Sequence, residues 1–243
     1  MDYESPKVRI IKNFINLEDC QFIIDYAKNL KLWNSGNVNS ESHPNEEHLK
    51  VFSNQWDGRI VDLNAIVAKK EHDSFIKKVW EIKEKSKFQV EDFFKKENVF
   101  LETWEVVRWF YPYDQKPHID YIEPDFNRNT DVPDNLDMSY FTKDAEEIYR
   151  IYNTKKHYTS MLYLNDDFEG GELYFPTYNN FTIKPEPGML VVFSGDITMP
   201  HGINQITSGT RYVNTAFWCR HPKTGYYVTE NLQTETLEKY WEH

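Results

Sequence analysis

Cysteine is scarce in this chain. Two thiols, Cys20 and Cys219, in 243 residues exclude a disulfide framework. Cys20 lies on the apolar stripe of the first expected helix and Cys219 follows an expected strand, so both are expected to be buried thiols. No apolar run approaches the roughly 20 residues that a bilayer-spanning helix requires. Met1-Asp2-Tyr3-Glu4 has neither the basic nor the apolar region of a secretory leader. The expectation is a soluble cytoplasmic chain away from membranes, in which the Asn180-Phe181-Thr182 sequon stays unmodified. Basic charge is also short, with 28 Lys and Arg against 39 Asp and Glu, a net charge of -11. A whole-surface affinity for nucleic acid is therefore not expected. No internal repeat or low-complexity segment is visible.

What the chain has instead is aromatic mass and length. Aromatic residues make up 16%, with 16 Tyr, 16 Phe and 7 Trp, enough for a core and a surplus that could line a groove. A chain this long can bury roughly 70–75% of its unfolded surface as one domain. That domain is read as an N-terminal strand and supporting helices over 1–100, a β core over 101–220 and an extension over 221–243. Residues 8–15 read as a strand, and Asn16 is placed to cap a helix with Leu17, Cys20, Ile23, Ile24, Ala27 and Leu30 on its apolar side. Asn34 to His48 reads as a polar loop. A helix between about 73 and 96 would bury Phe75, Ile76, Val79, Ile82, Val90, Phe93 and Phe94, with its lysines and glutamates forming a solvated face.

After Phe100 the period changes to two. Strands are expected over 101–110, 116–121, 158–165, 172–175, 181–183, 189–194, 201–205 and 210–218, separated by turn signals such as Gly170-Gly171 and Ser208-Gly209. Many short strands imply an antiparallel sandwich or barrel with helices outside one sheet. The stretch from Asp120 to Tyr158 reads as an acidic insertion, with a short helix at 144–153, that serves either as a lid or as a surface excursion.

His118-Ile119-Asp120, His201 and Arg211 carry the chemistry. On a strand, residues i and i+2 leave on one face, so His118 and Asp120 can meet one ion. A distal histidine completes a two-His-one-carboxylate set that leaves positions open on a non-haem Fe(II). The remaining histidines, His157 among them, are expected to be structural and mostly solvated. Around these residues run Tyr163-Leu164-Asn165, Gly170-Gly171-Glu172-Leu173-Tyr174-Phe175, Pro187-Gly188 leading to Phe193, His201-Gly202, and Gly209-Thr210-Arg211 leading to Trp218. Together with Asn13-Phe14-Ile15 and Val106-Val107-Arg108-Trp109, this order resembles the Fe(II)/2-oxoglutarate dioxygenases of the prolyl 4-hydroxylase type.

The resemblance implies a distorted double-stranded β-helix of the jelly-roll or cupin kind, an α+β fold with a mainly β core. It implies Fe(II) held by His118, Asp120 and His201, with 2-oxoglutarate and O2 as co-substrates and ascorbate as a candidate reductant. Arg211 would clamp the C5 carboxylate of 2-oxoglutarate with its fork of donors, aided by Tyr163, with Thr159 a second polar contact on the same face. Trp109 stands where the family usually carries a co-substrate tyrosine, so either Trp109, Tyr111 or Tyr113 takes that place. The implied reaction is hydroxylation of a prolyl residue in a peptide or protein, with succinate and CO2 as co-products. The alternatives are the same chemistry on a lysyl side chain or free amino acid, or a non-catalytic binding module on the same fold. Trp109, Tyr111, Tyr113 and Tyr121 bracket the first metal ligands and could line a groove for a proline-rich chain. The oligomeric state is left open.

Overall fold

The computed structural model describes residues 2–29, 34–35, 57–63, 73–120 and 157–220. The expected lid with its short helix, Leu30, Tyr121 and the 221–243 extension lie outside the described residues. The chain enters through β1 (Tyr3–Glu4) and β2 (Val8–Ile11), then turns into α1 (Leu17–Asn29). Asn16 caps that helix, its Oδ1 accepting from the Asp19 amide at 2.7 Å. Cys20, Ile23, Ile24 and Ala27 form the buried stripe, as their spacing predicts. Leu17 does not join it and is 66% exposed, because it stands in the first turn at the edge of that stripe. Two further strands, β3 (Asn34–Ser35) and β4 (Asp57–Asp62), precede α2 (Asp73–Phe94). Neither strand was expected, and Asn34–Ser35 falls where a loop was.

Helix α2 buries Phe75, Ile76, Val79, Ile82 and Val90, and packs Phe93 and Phe94 against the core. Its charged face is not wholly solvated. Lys83 is buried, with Nζ 2.6 Å from Glu84 Oε1 and 3.4 Å from the Trp80 ring centroid. An ammonium set over an aromatic face and paired with a carboxylate explains how a lysine is held there.

The β core follows as β5 (Phe100–Phe110), β6 (Gln115–His118), β7 (Tyr158–Tyr163), β8 (Phe168–Gly170), β9 (Leu173–Phe175), β10 (Phe181–Ile183), β11 (Leu190–Ser194), β12 (His201–Ile203) and β13 (Ile206–Cys219). The larger sheet runs β1-β2-β11-β7-β13-β5-β4-β3, with β8 paired to the start of β13; the smaller runs β10-β9-β12-β6. The alternation along β7, β11 and β13 gives the larger sheet two buried faces. One face, with Val106, Leu162, Val192 and Trp218, packs on Ile23, Phe75 and Val79 of the helices. The other, with Val107, Met161, Tyr163, Phe193 and Val213, packs on Leu173, Phe175, Ile183 and Ile203 of the smaller sheet. Each such large side chain contributes about 1.5–3 kcal/mol relative to exposure.

Helices outside one sheet and a second sheet against its other face form the expected double-stranded β-helix. Both cysteines are buried free thiols, and burial pushes Cys20 up to about 11. Among the described residues no helix is long and apolar enough to cross a membrane.

Candidate metal and co-substrate site

The smaller sheet sets the two histidines face to face. His118 ends β6, His201 opens β12, and the antiparallel register places them directly opposite each other. Their ring centroids are 4.4 Å apart. Asp120 lies two residues beyond the strand end, not within the strand as expected. Its amide donates to the Gly195 carbonyl at 2.8 Å, fastening this segment to the loop after β11. The carboxylate falls between the rings, Oδ1 3.6 Å from His118 Nε2 and Oδ2 3.5 Å from His201 Nε2. One ligand atom from each residue lies within 4.8 Å of the others, so the three could hold a metal ion.

The tautomers suit that task. His118 Nδ1 lies 3.0 Å from the Lys116 carbonyl and His201 Nδ1 3.1 Å from that of Met199. A carbonyl only accepts, so each Nδ1 carries the hydrogen and each Nε2 keeps its lone pair toward Asp120. Gln115 Nε2, a donor, sits 3.2 Å from His118 Nε2, which agrees with that assignment. Burial pushes His201 down to about 4, partly opposed by Asp120, so its ring is neutral at physiological pH.

Gly202 makes this packing feasible. A Cβ there would meet the Tyr174 ring at 2.6 Å and the Gln115 carbonyl at 2.7 Å, and would push β12 away from its neighbours.

Strand β7 runs from this cluster to a second feature. Thr159, Met161 and Tyr163 share a face by alternation. Thr159 Oγ1 donates to Asp120 Oδ2 at 2.6 Å and is fully buried. Four residues on, roughly 13 Å along a strand, Tyr163 faces Arg211 with its ring centroid 5.0 Å from the guanidinium carbon. Trp109, directly opposite Arg211 on β5, lies 5.9 Å away on the other side. Arg211 and Tyr163 are both 0% exposed. Among the described residues no donor nitrogen of Arg211 has a partner in good hydrogen-bond geometry, nor does the Tyr163 hydroxyl; the two groups influence only each other. Burial pulls the Arg211 pKa down and pushes that of Tyr163 up. Gly171, at φ +71°, leaves room for this arginine, since a Cβ there would strike Ile206 Cδ1 and come within 3.1 Å of Arg211 Cδ.

A buried guanidinium without a partner is unfavourable unless an anion completes it. This orphaned fork, beside an orphaned hydroxyl and near a His-Asp-His cluster, fits a dicarboxylate that also reaches a metal. Residues 109–220 match the model of the 2OG-Fe(II) oxygenase superfamily. The match covers somewhat less than half of the chain, the part that carries His118, Asp120, His201 and Arg211, and makes the chain similar to that superfamily. By sequence it is 25% identical to human prolyl 3-hydroxylase 2 over 225 residues, 86% of this chain and 29% of that protein. A 62-residue stretch is 44% identical to human prolyl 3-hydroxylase 3, covering 24% of this chain and 8% of that protein. The chain thus spans less than a third of these curated relatives.

By structure it is similar to the collagen prolyl hydroxylase of Paramecium Bursaria Chlorella virus-1 in its 2OG complex. The TM-score is 0.54 at 16% identity, covering 89% of this chain and 97% of that one. It is also similar to the prolyl hydroxylase of Trichoplax adhaerens in complex with a hypoxia inducible factor peptide fragment, with TM-score 0.54, 15% identity, 89% of this chain and 84% of that one. At these identities the likeness establishes the fold.

Three sequence expectations change at the site. Thr159, expected beside the co-substrate, gives its hydroxyl to Asp120. Trp109 is 2% exposed and belongs to the inner core, and Tyr113 packs edge-on against Phe110; only Tyr111, 65% exposed, presents a free aromatic surface among the three. Trp109 does not line an open surface, because β5 turns it inward. His157 is buried, not solvated, since it directly precedes β7 and its carbonyl accepts from the Gly195 amide.

Proposed function

We propose that this domain hydroxylates a prolyl residue in a peptide or protein, consuming 2-oxoglutarate and O2 and releasing succinate and CO2. The observation that carries the reading is the buried Arg211 fork facing Tyr163, without an anion among the described residues, on the larger sheet that packs against the smaller sheet bearing His118 and His201. His118, Asp120 and His201 would hold Fe(II) through two neutral imidazoles and one carboxylate, leaving the other positions open. Arg211 would receive the distal carboxylate of 2-oxoglutarate in two parallel hydrogen bonds, with the Tyr163 hydroxyl adding a third. When bound, the iron and 2-oxoglutarate together supply the oxidising power for inserting one oxygen atom into a C–H bond. The buried walls around Phe175, Phe193 and Met161 exclude water from that chemistry and hold the ligating rings in place; Phe193 meets His201 edge-on at 4.6 Å.

The prolyl substrate is supported by the names of the relatives, prolyl 3-hydroxylases by sequence and prolyl hydroxylases by fold. The test is incubation with Fe(II), 2-oxoglutarate and proline-rich peptides, read by mass spectrometry. A gain of one oxygen is expected, with chromatography of the hydrolysate identifying 3- or 4-hydroxyproline. Peptides left unmodified while a lysyl peptide or free proline gains oxygen would move the substrate. No succinate under any condition would favour a binding module. His201→Ala should abolish both metal binding and turnover.

A further inference from the structure

The hydrogen bond between Thr159 and Asp120 does more than satisfy a buried hydroxyl. An Fe(II) held by only three protein ligands would keep its other positions for the 2-oxo acid and O2. A carboxylate can bind an ion through one oxygen or through both, and Asp120 binding through both would fill the position that O2 requires. Thr159 Oγ1 lies 2.6 Å from Asp120 Oδ2, a short charge-assisted bond, and the residue is 1% exposed. The strand that carries it is paired on both sides, to β11 through Phe193↔Thr159 and to β13 through Phe217↔Thr159. A donor fixed in this way cannot follow the carboxylate if it rotates.

We propose that Thr159 is a positioning residue that reserves Oδ2 of Asp120 and so limits this ligand to one oxygen toward the metal. The proposal rests on the metal reading of His118, Asp120 and His201 given above. It assigns Thr159 to the metal side of the cavity and leaves the anion side to Tyr163 and Arg211.

The test uses four proteins, wild type and the variants Thr159→Val, Thr159→Ser and Thr159→Ala, each titrated with Mn(II) by electron paramagnetic resonance and with Co(II) by visible absorption. Removing an outer partner of a metal ligand typically weakens affinity about 10–100-fold. Thr159→Val and Thr159→Ala should therefore bind Mn(II) about 10–100-fold more weakly, with a changed Co(II) spectrum. Thr159→Ser, which keeps the hydroxyl, should retain the wild-type spectrum. The Ser and Ala variants differ by one oxygen atom, so their comparison stands even if valine disturbs packing. Wild-type affinity and spectrum in Thr159→Ala, or a Thr159→Ser protein indistinguishable from it, would overturn the proposal. If Thr159→Ala binds normally while His201→Ala does not, the metal site survives and only the role of Thr159 falls. If wild type binds neither ion, both fall together.

Discussion

Arg9 and Arg211 are both buried arginines on the larger sheet, 9% and 0% exposed, yet their surroundings are opposite. Arg9, on β2 next to the edge of the sheet, donates to Glu4 Oε2 at 2.7 Å, to Asp92 Oδ2 at 2.8 Å and to Gln89, and lies over the Phe93 ring. It ties the sheet to α2 and its charge is matched within the fold. Arg211, on the central strand β13, is flanked by two aromatic rings and meets no carboxylate. One arginine has its anions within the fold; the other has none among the described residues. A buried cation left unsatisfied lowers stability, so its persistence at the middle of the sheet points to a ligand.

The difference is broken most severely at Arg211. Losing one partner of a buried charge pair costs about 3–5 kcal/mol, so Arg211→Ala should weaken 2-oxoglutarate binding by orders of magnitude. Arg211→Lys should recover part of it, keeping charge but not the fork. Calorimetry with Mn(II) in place of iron reads this directly, and unchanged affinity in Arg211→Ala would remove the clamp. The ligand-free Arg211→Met protein should be no less thermally stable than wild type, because an unpaired buried charge has been replaced by an apolar chain.

A smaller effect comes from Gly171. Its φ of +71° disfavours a side chain, and a Cβ would push on both Ile206 and Arg211. Gly171→Ala should destabilise the domain by about 1–3 kcal/mol and also weaken 2-oxoglutarate binding by displacing the guanidinium. Denaturant unfolding and calorimetry check the two halves separately. Stability lost with co-substrate affinity intact would mean that Gly171 serves the turn alone.

Arg9→Ala should have the reverse signature of Arg211→Ala. Its carboxylate partners are half exposed, with side-chain exposures of 59% and 42%, so the ion pairs are screened. The expected loss is about 1 kcal/mol, read as a lower denaturation midpoint, with metal and co-substrate affinities unchanged. An altered co-substrate affinity would show that the two arginines are not separate in function.

The contrast between the arginines was only half legible in the sequence. The spacing of His118, Asp120, His201 and Arg211 marks chemistry because those residue types are expensive to bury without purpose, and the β alternation after Phe100 shows which of their neighbours share a face. Alternation placed Thr159 with Tyr163, correctly, but could not reveal that Asp120, from beyond the smaller sheet, would take its hydroxyl. That pairing is set by how two sheets face each other, which no local pattern encodes. The same limit hid β4, whose hydrogen bonds go to β5 far along the chain, and Lys83, whose place on Trp80 depends on packing of the helix surface. Arg9 carried no motif at all. Its carboxylate partners come from β1 and the end of α2, and only the assembled fold brings them together.

A last comparison sets Arg211 beside His201, because burial acts on both in the same direction. Desolvation disfavours the charged form, pulling down the pKa of each. Arg211 begins so far above neutrality that it stays a cation, whereas His201 falls from the ordinary 6.5 to about 4 and becomes a neutral ligand. One physical force therefore leaves a buried cation near one end of β7 and a neutral imidazole near the other. The second half has a pH signature in the metal-free protein. Between pH 6.5 and 4 the unfolded chain binds a proton at this histidine that the folded chain refuses, so stability falls as pH is lowered through that window. Above 6.5 the group contributes no slope, and below about 4 the loss is complete. In His201→Gln this part of the acid destabilisation should be absent, so the melting temperatures of variant and wild type should converge as the pH drops from 6.5 to 4. Parallel curves across that range would mean that His201 is not held neutral by burial.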